Sequence, residues 1–195
     1  MGPLKARDIP NLITLLRLAL VFPVAWALAR RHYQAALALF MLAGLSDGID
    51  GYLAKRFGWS SRVGAILDPL ADKVLLVSCY LVLGWLGALP HWLVFAVLGR
   101  DIAIVAGALA YHLLVGHYQL RPTWISKVNT VAQILLVVVT MFSLAGGALP
   151  DWLLDGLIYL VLLTTLWSGL DYIWTWSRRA CSAREAGRAG RQRGG

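Results

Sequence analysis

The sequence predicts an all-α fold, a polytopic membrane protein with six transmembrane helices, on three observations. Hydrophobic residues make up 59% of the 195 and charged residues only 14%, against the ~45–50% apolar content of soluble domains. Mean hydropathy is +0.67. The apolar residues are gathered into six runs near the roughly 20 residues that a helix needs to cross the hydrocarbon with its backbone bonded internally. Length suggests a single domain, with residues 1–176 forming the transmembrane domain and 177–195 a basic, disordered cytoplasmic tail.

In chain order the expected spans are Ile9 to Ala29, Tyr33 to Tyr52, Asp68 to Leu86, Trp92 to Val115, Val128 to Leu149 and Trp152 to Trp176. The first is expected to stay in the mature protein. Its apolar stretch exceeds the ~7–15 residues of a signal-peptide core, and no small-residue cleavage site precedes Arg30 and Arg31. Pro23 lies inside it as a local packing feature. Spans two and three carry acids at their facing ends. Span four is interrupted by Arg100 and Asp101, and span five is preceded by Arg121-Pro-Thr-Trp. Trp59, Trp85, Trp92, Trp124, Trp152 and Trp176 lie near span boundaries, as an aromatic belt does.

Six spans put both termini on one side. That side collects Lys5, Arg7, Lys55, Arg56, Arg62, Arg121, Lys127 and the arginines of the tail, and only Arg30 and Arg31 fall opposite. Positive residues in short loops are retained on the cytoplasmic side. The expected topology is therefore N-in and C-in, in the cell inner (cytoplasmic) membrane. The tail, which holds much of the net charge of +8, reads as an anchor to anionic membrane lipids. With no aromatic interleaving and no recognisable module it gives no case for nucleic acid. Cys79 and Cys181 form no disulfide framework or metal spacing, and the four histidines are scattered near span ends.

The chemistry is concentrated in one stretch. Four of the ten acidic residues, Asp47, Asp50, Asp68 and Asp72, fall between Ser46 and Lys73. An ionisable group at a span's centre costs about 2.5–3.5 kcal/mol, so it marks function by default. Asp47 and Asp50 are i,i+3 and Asp68 and Asp72 are i,i+4, so each pair shares a helix face. A short loop makes the two helices an antiparallel hairpin and brings both pairs to one depth. Four converging carboxylates repel one another, and bound divalent cations relieve that. All-oxygen ligation suits Mg²⁺ or Mn²⁺ better than zinc. Gly48, Gly51 and Gly64 open space for a nucleotide or diphosphate, and Lys55, Arg56 and Arg62 offer cations to phosphate oxygens. A single intramembrane Asp commonly just bridges helices; four at these spacings point to a site.

These residues closely resemble the CDP-alcohol phosphotransferase signature D-x-x-D-G-x-x-A-R-x8-G-x3-D-x3-D, read here as Asp47, Asp50, Gly51, Ala54, Lys55, Gly64, Asp68 and Asp72. Every spacing is kept over 26 residues. The departure is Lys55 where the family has Arg, which keeps the charge and loses the bidentate fork. The opening I-P-N-L-I-T-L-L-R, Ile9 to Arg17, and the six-span layout extend the likeness over most of the chain. The resemblance implies transfer of a phosphatidyl group from CDP-diacylglycerol to an alcohol with release of CMP, in phospholipid biosynthesis. It implies two metal ions, Mg²⁺ or Mn²⁺, on Asp47, Asp50, Asp68 and Asp72, with Asp72 also the catalytic base. It places Asn11, Thr14, Gly51, Ala54, Lys55, Ser61 and Gly64 around the donor's nucleotide and diphosphate, and it implies a homodimer.

For the acceptor, Arg62, Arg100, Arg121 and Lys127 are the candidate cations, and they suggest a phosphate-bearing lipid or glycerol acceptor. Arg100 and Asp101 have the alternative of neutralising each other inside the bundle. Two branches of the family fit. The segment R-P-T-W-I-S-K-V-N-T-V-A-Q with Gly99-Arg100-Asp101 resembles the branch that uses phosphatidylglycerol, the cardiolipin synthases, more than the glycerol 3-phosphate branch, the phosphatidylglycerophosphate synthases. A cation transporter is the reading from another class, but it calls for an inverted repeat, and the acidic pairs occur once.

Overall fold

The computed structural model describes the backbone of residues 9–57, 64–115, 124–150 and 152–171, and the side chains of residues 14–48, 70–107, 124–150 and 152–171. Among them there are six helices and no strand. They are α1 (Ile9–Ala29), α2 (Tyr33–Phe57), α3 (Gly64–Trp85), α4 (His91–Val115), α5 (Trp124–Leu144) and α6 (Trp152–Asp171). α1 packs on α2 and α3, α5 lies against the same two helices, and α3 also touches α4.

The hairpin ends at one side of the bundle share one device. α1, α3 and α5 each close with a residue at positive φ: Arg31 at 62°, Gly87 at 74° and Gly146 at 96°. In each case that residue's N–H reaches back three residues and the next N–H reaches back five. The pairs are Arg31 to Leu28 with His32 to Ala27, Gly87 to Gly84 with Ala88 to Leu83, and Gly146 to Ser143 with Gly147 to Phe142, at 2.8–3.1 Å. This is the Schellman stop, which satisfies carbonyls that a helix end otherwise leaves bare. Glycine meets it without strain at two of the three ends, whereas Arg31 holds a left-handed conformation that a Cβ disfavours.

Three sequence expectations of extent need correction. α2 runs on to Phe57 rather than stopping near Tyr52, and α3 begins at Gly64 rather than Asp68. The acids therefore sit inside helices, not at their ends, because nothing between Gly51 and Phe57 interrupts the backbone ladder. α5 spans 124–144 rather than 128–149; its stop is set by Gly146, and the Pro150 carbonyl then accepts from the Leu153 N–H in the first turn of α6.

The apolar surface is arranged inside out relative to a water-soluble bundle. A core of Val24, Leu28, Tyr80, Leu83, Leu93, Leu136, Met141 and Val161 is buried. Yet Phe22 is 73% exposed, Phe95 72%, Leu163 64% and Trp167 66%, a spread of large apolar side chains that water would penalise and lipid would not. Two helices, Trp124–Leu144 and Trp152–Asp171, are long and apolar enough to cross a membrane by length and composition, with only 39% and 22% of their windows buried within the bundle. The two apolar helices are consistent with a membrane protein. Exposed Trp85, Trp92 and Trp152 gather at the Schellman end, where Arg30 stacks 4.6 Å over the Trp26 ring.

Candidate active site

Polar residues are buried on the opposite half of the bundle, toward the α2–α3 and α4–α5 connections. Thr14, Arg17, Arg100, Asp101, Asn129, Gln133, Thr165 and Ser168 are all buried there. Removing such groups from solvent is costly unless they are paired, and most of them gather into two clusters, while the buried Gln133 side-chain amide has no hydrogen-bond partner among the described residues.

The first cluster joins three helices at one point. Arg17 is the only charged residue of α1, and its side chain is 1% exposed. Its Nη2 lies 2.7 Å from Asp47 Oδ1 on α2, and its Nη1 donates to Asp72 Oδ1 on α3 at 2.7 Å. The two carboxylates are themselves open, 41% and 49% exposed. One guanidinium thus holds two acids from different helices at a shared depth, as the sequence spacing requires of the hairpin. The two acids, with Lys73 of α3 and Thr130 of α5, line a cavity of about 550 Å³ whose remaining walls are apolar, with Phe40, Met41 and Leu45 from α2, Leu75 and Leu76 from α3, and Ile134 and Val138 from α5.

The second cluster is closed. Arg100 pairs with Asp101 at 2.9 Å and donates to Ser126 Oγ of α5 at 2.8 Å and to Ser168 Oγ of α6. The other Asp101 oxygen takes Lys73 of α3 at 2.6 Å. Next to it, Asn129 Oδ1 accepts from Thr164 and Thr165 of α6 at 2.9 and 3.0 Å. Four helices are stitched together here, with one carboxylate shared between two cations, Arg100 and Lys73.

The expected site residues distribute as follows. Asp47 and Asp72 converge. Asp50 lies on α2 and Asp68 on α3 as expected, but their side chains fall outside the described residues, as do those of Asn11, Gly51, Ala54, Lys55 and Gly64, whose backbones are helical. Thr14 is buried on α1, one turn before Arg17. Ser61, Arg62 and Arg121 lie outside the described residues. Lys127 is exposed at the start of α5, 5.3 Å over the Trp124 ring, while Arg100 is committed to the closed cluster. Arg17, Lys73, Ser126 and Ser168 have structural parts that the sequence reading left without a role. For Arg17 the signal was its isolation in an apolar helix, since a lone buried arginine needs an acid.

A profile of the CDP-alcohol phosphatidyltransferase family matches residues 7–170. The chain belongs to that family. Relatives carry both of the branch names. A rat (Rattus norvegicus) cardiolipin synthase (CMP-forming) is 34% identical over 149 residues, covering 68% of this chain and 49% of the rat protein. A probable phosphatidylglycerophosphate synthase of Mycobacterium tuberculosis H37Rv is 29% identical over 178 residues, 88% of this chain and 83% of its own. The chloroplastic CDP-diacylglycerol glycerol-3-phosphate 3-phosphatidyltransferase 1 of Oryza sativa subsp. japonica is 31% identical over 183 residues, 85% of this chain and 56% of its own. The chain spans about half the length of the rat and human cardiolipin synthases it matches. Membership in a phosphatidyltransferase family favours the enzyme reading over the cation transporter.

Proposed function

We propose that the chain transfers a phosphatidyl group from CDP-diacylglycerol to an alcohol, releasing CMP, at a carboxylate site on the cytoplasmic side of the inner membrane. The observation that carries this is the meeting of Asp47 and Asp72, from separate helices, beside a largely apolar cavity. A lipid donor with a charged head needs both a polar reacting point and adjoining space for hydrocarbon. The excess of Lys and Arg on the side of the acids supports a six-crossing topology with both termini in the cytoplasm, in which a soluble nucleotide can leave from the acids.

Asp47, Asp50, Asp68 and Asp72 would hold Mg²⁺ or Mn²⁺, and the donor set fits: the two carboxylates described are close, open and all-oxygen, with no sulfur or imidazole among them. Bound as a pair, the ions supply charge stabilisation to the attacking and leaving oxygens. The chain's own residues supply the rest. Asp72 accepts the proton of the acceptor hydroxyl as its oxygen bonds to the phosphatidyl phosphorus, and the bond from that phosphorus to CMP breaks. Asn11, Thr14, Gly51, Ala54, Lys55, Ser61 and Gly64 bind the donor's nucleotide and diphosphate. Arg17 is inside the cluster and orients the carboxylates.

Phosphatidylglycerol is the acceptor we favour, because a cavity walled mostly by apolar side chains beside the acids suits a second lipid, and the likeness to cardiolipin synthases points the same way. Glycerol 3-phosphate is the second reading, favoured by the match to the mycobacterial protein over most of both chains. In either case Arg62, Arg121 and Lys127 are the cations left for the acceptor phosphate, since Arg100 is satisfied by Asp101, Ser126 and Ser168. Both acceptors offered together to the purified chain in vesicles, with products separated by mass, decide it. Cardiolipin as the main product supports the first reading, and phosphatidylglycerophosphate the second.

A further inference from the structure

We propose that Arg17 is a positioning residue for the metal-binding carboxylates: it fixes the separation of Asp47 and Asp72 by holding one oxygen of each from a third helix. This rests on the reading of Asp47 and Asp72 as metal ligands, and the experiment below separates failure of the two.

The geometry is specific. A guanidinium is planar and rigid, and its two terminal nitrogens present donors at a fixed spacing. Here Nη2 takes Asp47 and Nη1 takes Asp72, each at 2.7 Å. The arginine is almost wholly buried while both acids are about half exposed, so the cation stands behind the carboxylates, on the bundle side. That is the place of a support that orients ligands from outside their coordination shell. Thr14, one turn earlier on the same helix, is buried as well, so α1 enters the cluster on a packed face. Charge balance agrees: four aspartates and two divalent cations cancel, and Arg17 leaves the assembly with one net positive charge toward a diphosphate donor.

Positioning and plain electrostatics predict opposite signs. By Coulomb's law alone, deleting a positive charge beside a cation site tightens cation binding. If Arg17 sets ligand spacing, deleting it loosens binding despite that gain. Mn²⁺ affinity, read from the free-ion paramagnetic resonance signal of the full chain in detergent without nucleotide, measures the sign directly. Arg17→Gln is expected to weaken Mn²⁺ binding about tenfold or more, as loss of an outer support does. Arg17→Lys keeps the charge, cannot bridge both acids with one nitrogen, and is expected to fall between Arg17→Gln and wild type. Leu93→Ala, in the buried core of α4, lowers thermal stability without changing Mn²⁺ affinity, which separates positioning from general loosening. Unchanged or tighter Mn²⁺ binding in Arg17→Gln, or wild-type binding in Arg17→Lys, overturns the proposal and leaves the metal reading standing. A wild-type chain that binds no Mn²⁺ overturns both.

Discussion

Asp72 and Asp47 share an arginine but not a task. Asp72→Asn keeps an oxygen for Arg17 and removes the charge that accepts a proton. Turnover is expected to drop by about 10²–10⁴-fold, the usual worth of a general base, while labelled CDP-diacylglycerol is still retained by the purified protein. Wild-type turnover in that variant removes Asp72 from the role. Arg100 shows how one residue type can mean two things. From the sequence it is a cation for an acceptor phosphate or a partner for Asp101, and the structure surrounds it with Asp101, Ser126 and Ser168 at 6% side-chain exposure. Arg100→Gln strands Asp101 with a single partner, and breaking a buried pair costs about 3–5 kcal/mol. The expected result is a lowered melting temperature with an unchanged acceptor KM; a raised KM at unchanged stability assigns Arg100 to the acceptor instead. The aspartates were legible from spacing because i,i+3 and i,i+4 pairs are helix-face statements. Their partner was not, because which helix supplies the counter-charge is a matter of packing, and spacing carries no information across α1, α2 and α3.

At the scale of elements, the existence and order of six helices could be read from apolar run length, and α1 has the expected limits, Ile9–Ala29. The limits of α2, α3 and α5 could not. Hydropathy falls where Asp50, Lys55 and Arg56 begin, but the backbone continues its ladder to Phe57, and the stop of α5 is decided by the positive φ of Gly146 rather than by polarity. Helix contacts were equally invisible. α3 approaches α4 so closely at Gly84 that an added Cβ would lie 2.8 Å from Val94 Cγ2. Gly84→Ala is therefore expected to destabilise the bundle by about 1–3 kcal/mol, the cost of overpacking. Val94→Ala in the same chain should recover much of it. Thermal unfolding in detergent checks both, and full stability of Gly84→Ala alone would show that the two helices have room to separate.

Over the whole molecule, two surfaces define the orientation: a buried polar half that contains the acids, and an opposite end marked by Trp85, Trp92, Trp152 and the Arg30–Trp26 stack. The excess of Lys and Arg on the side of the acids argues that the polar half faces the cytoplasm. Cys79 is buried, so labelling reads topology cleanly. In right-side-out vesicles a membrane-impermeant maleimide is expected to modify a His32→Cys chain outside and to leave Cys181 untouched until the membrane is opened. Labelling of Cys181 in sealed vesicles contradicts the cytoplasmic C-terminus. The family could be read in the sequence because its signature lies in one contiguous stretch. The acceptor could not, since relatives named for two different products both match the chain and the remaining candidate cations, Arg62, Arg121 and Lys127, are scattered along the sequence. The most direct measurement is CMP release from CDP-diacylglycerol by the purified full chain in lipid vesicles, with and without Mg²⁺ or Mn²⁺. The account predicts release only with the divalent ion and an acceptor alcohol, lost in Asp47→Asn and Asp72→Asn. Release that persists in chelator, or that survives both substitutions, contradicts it.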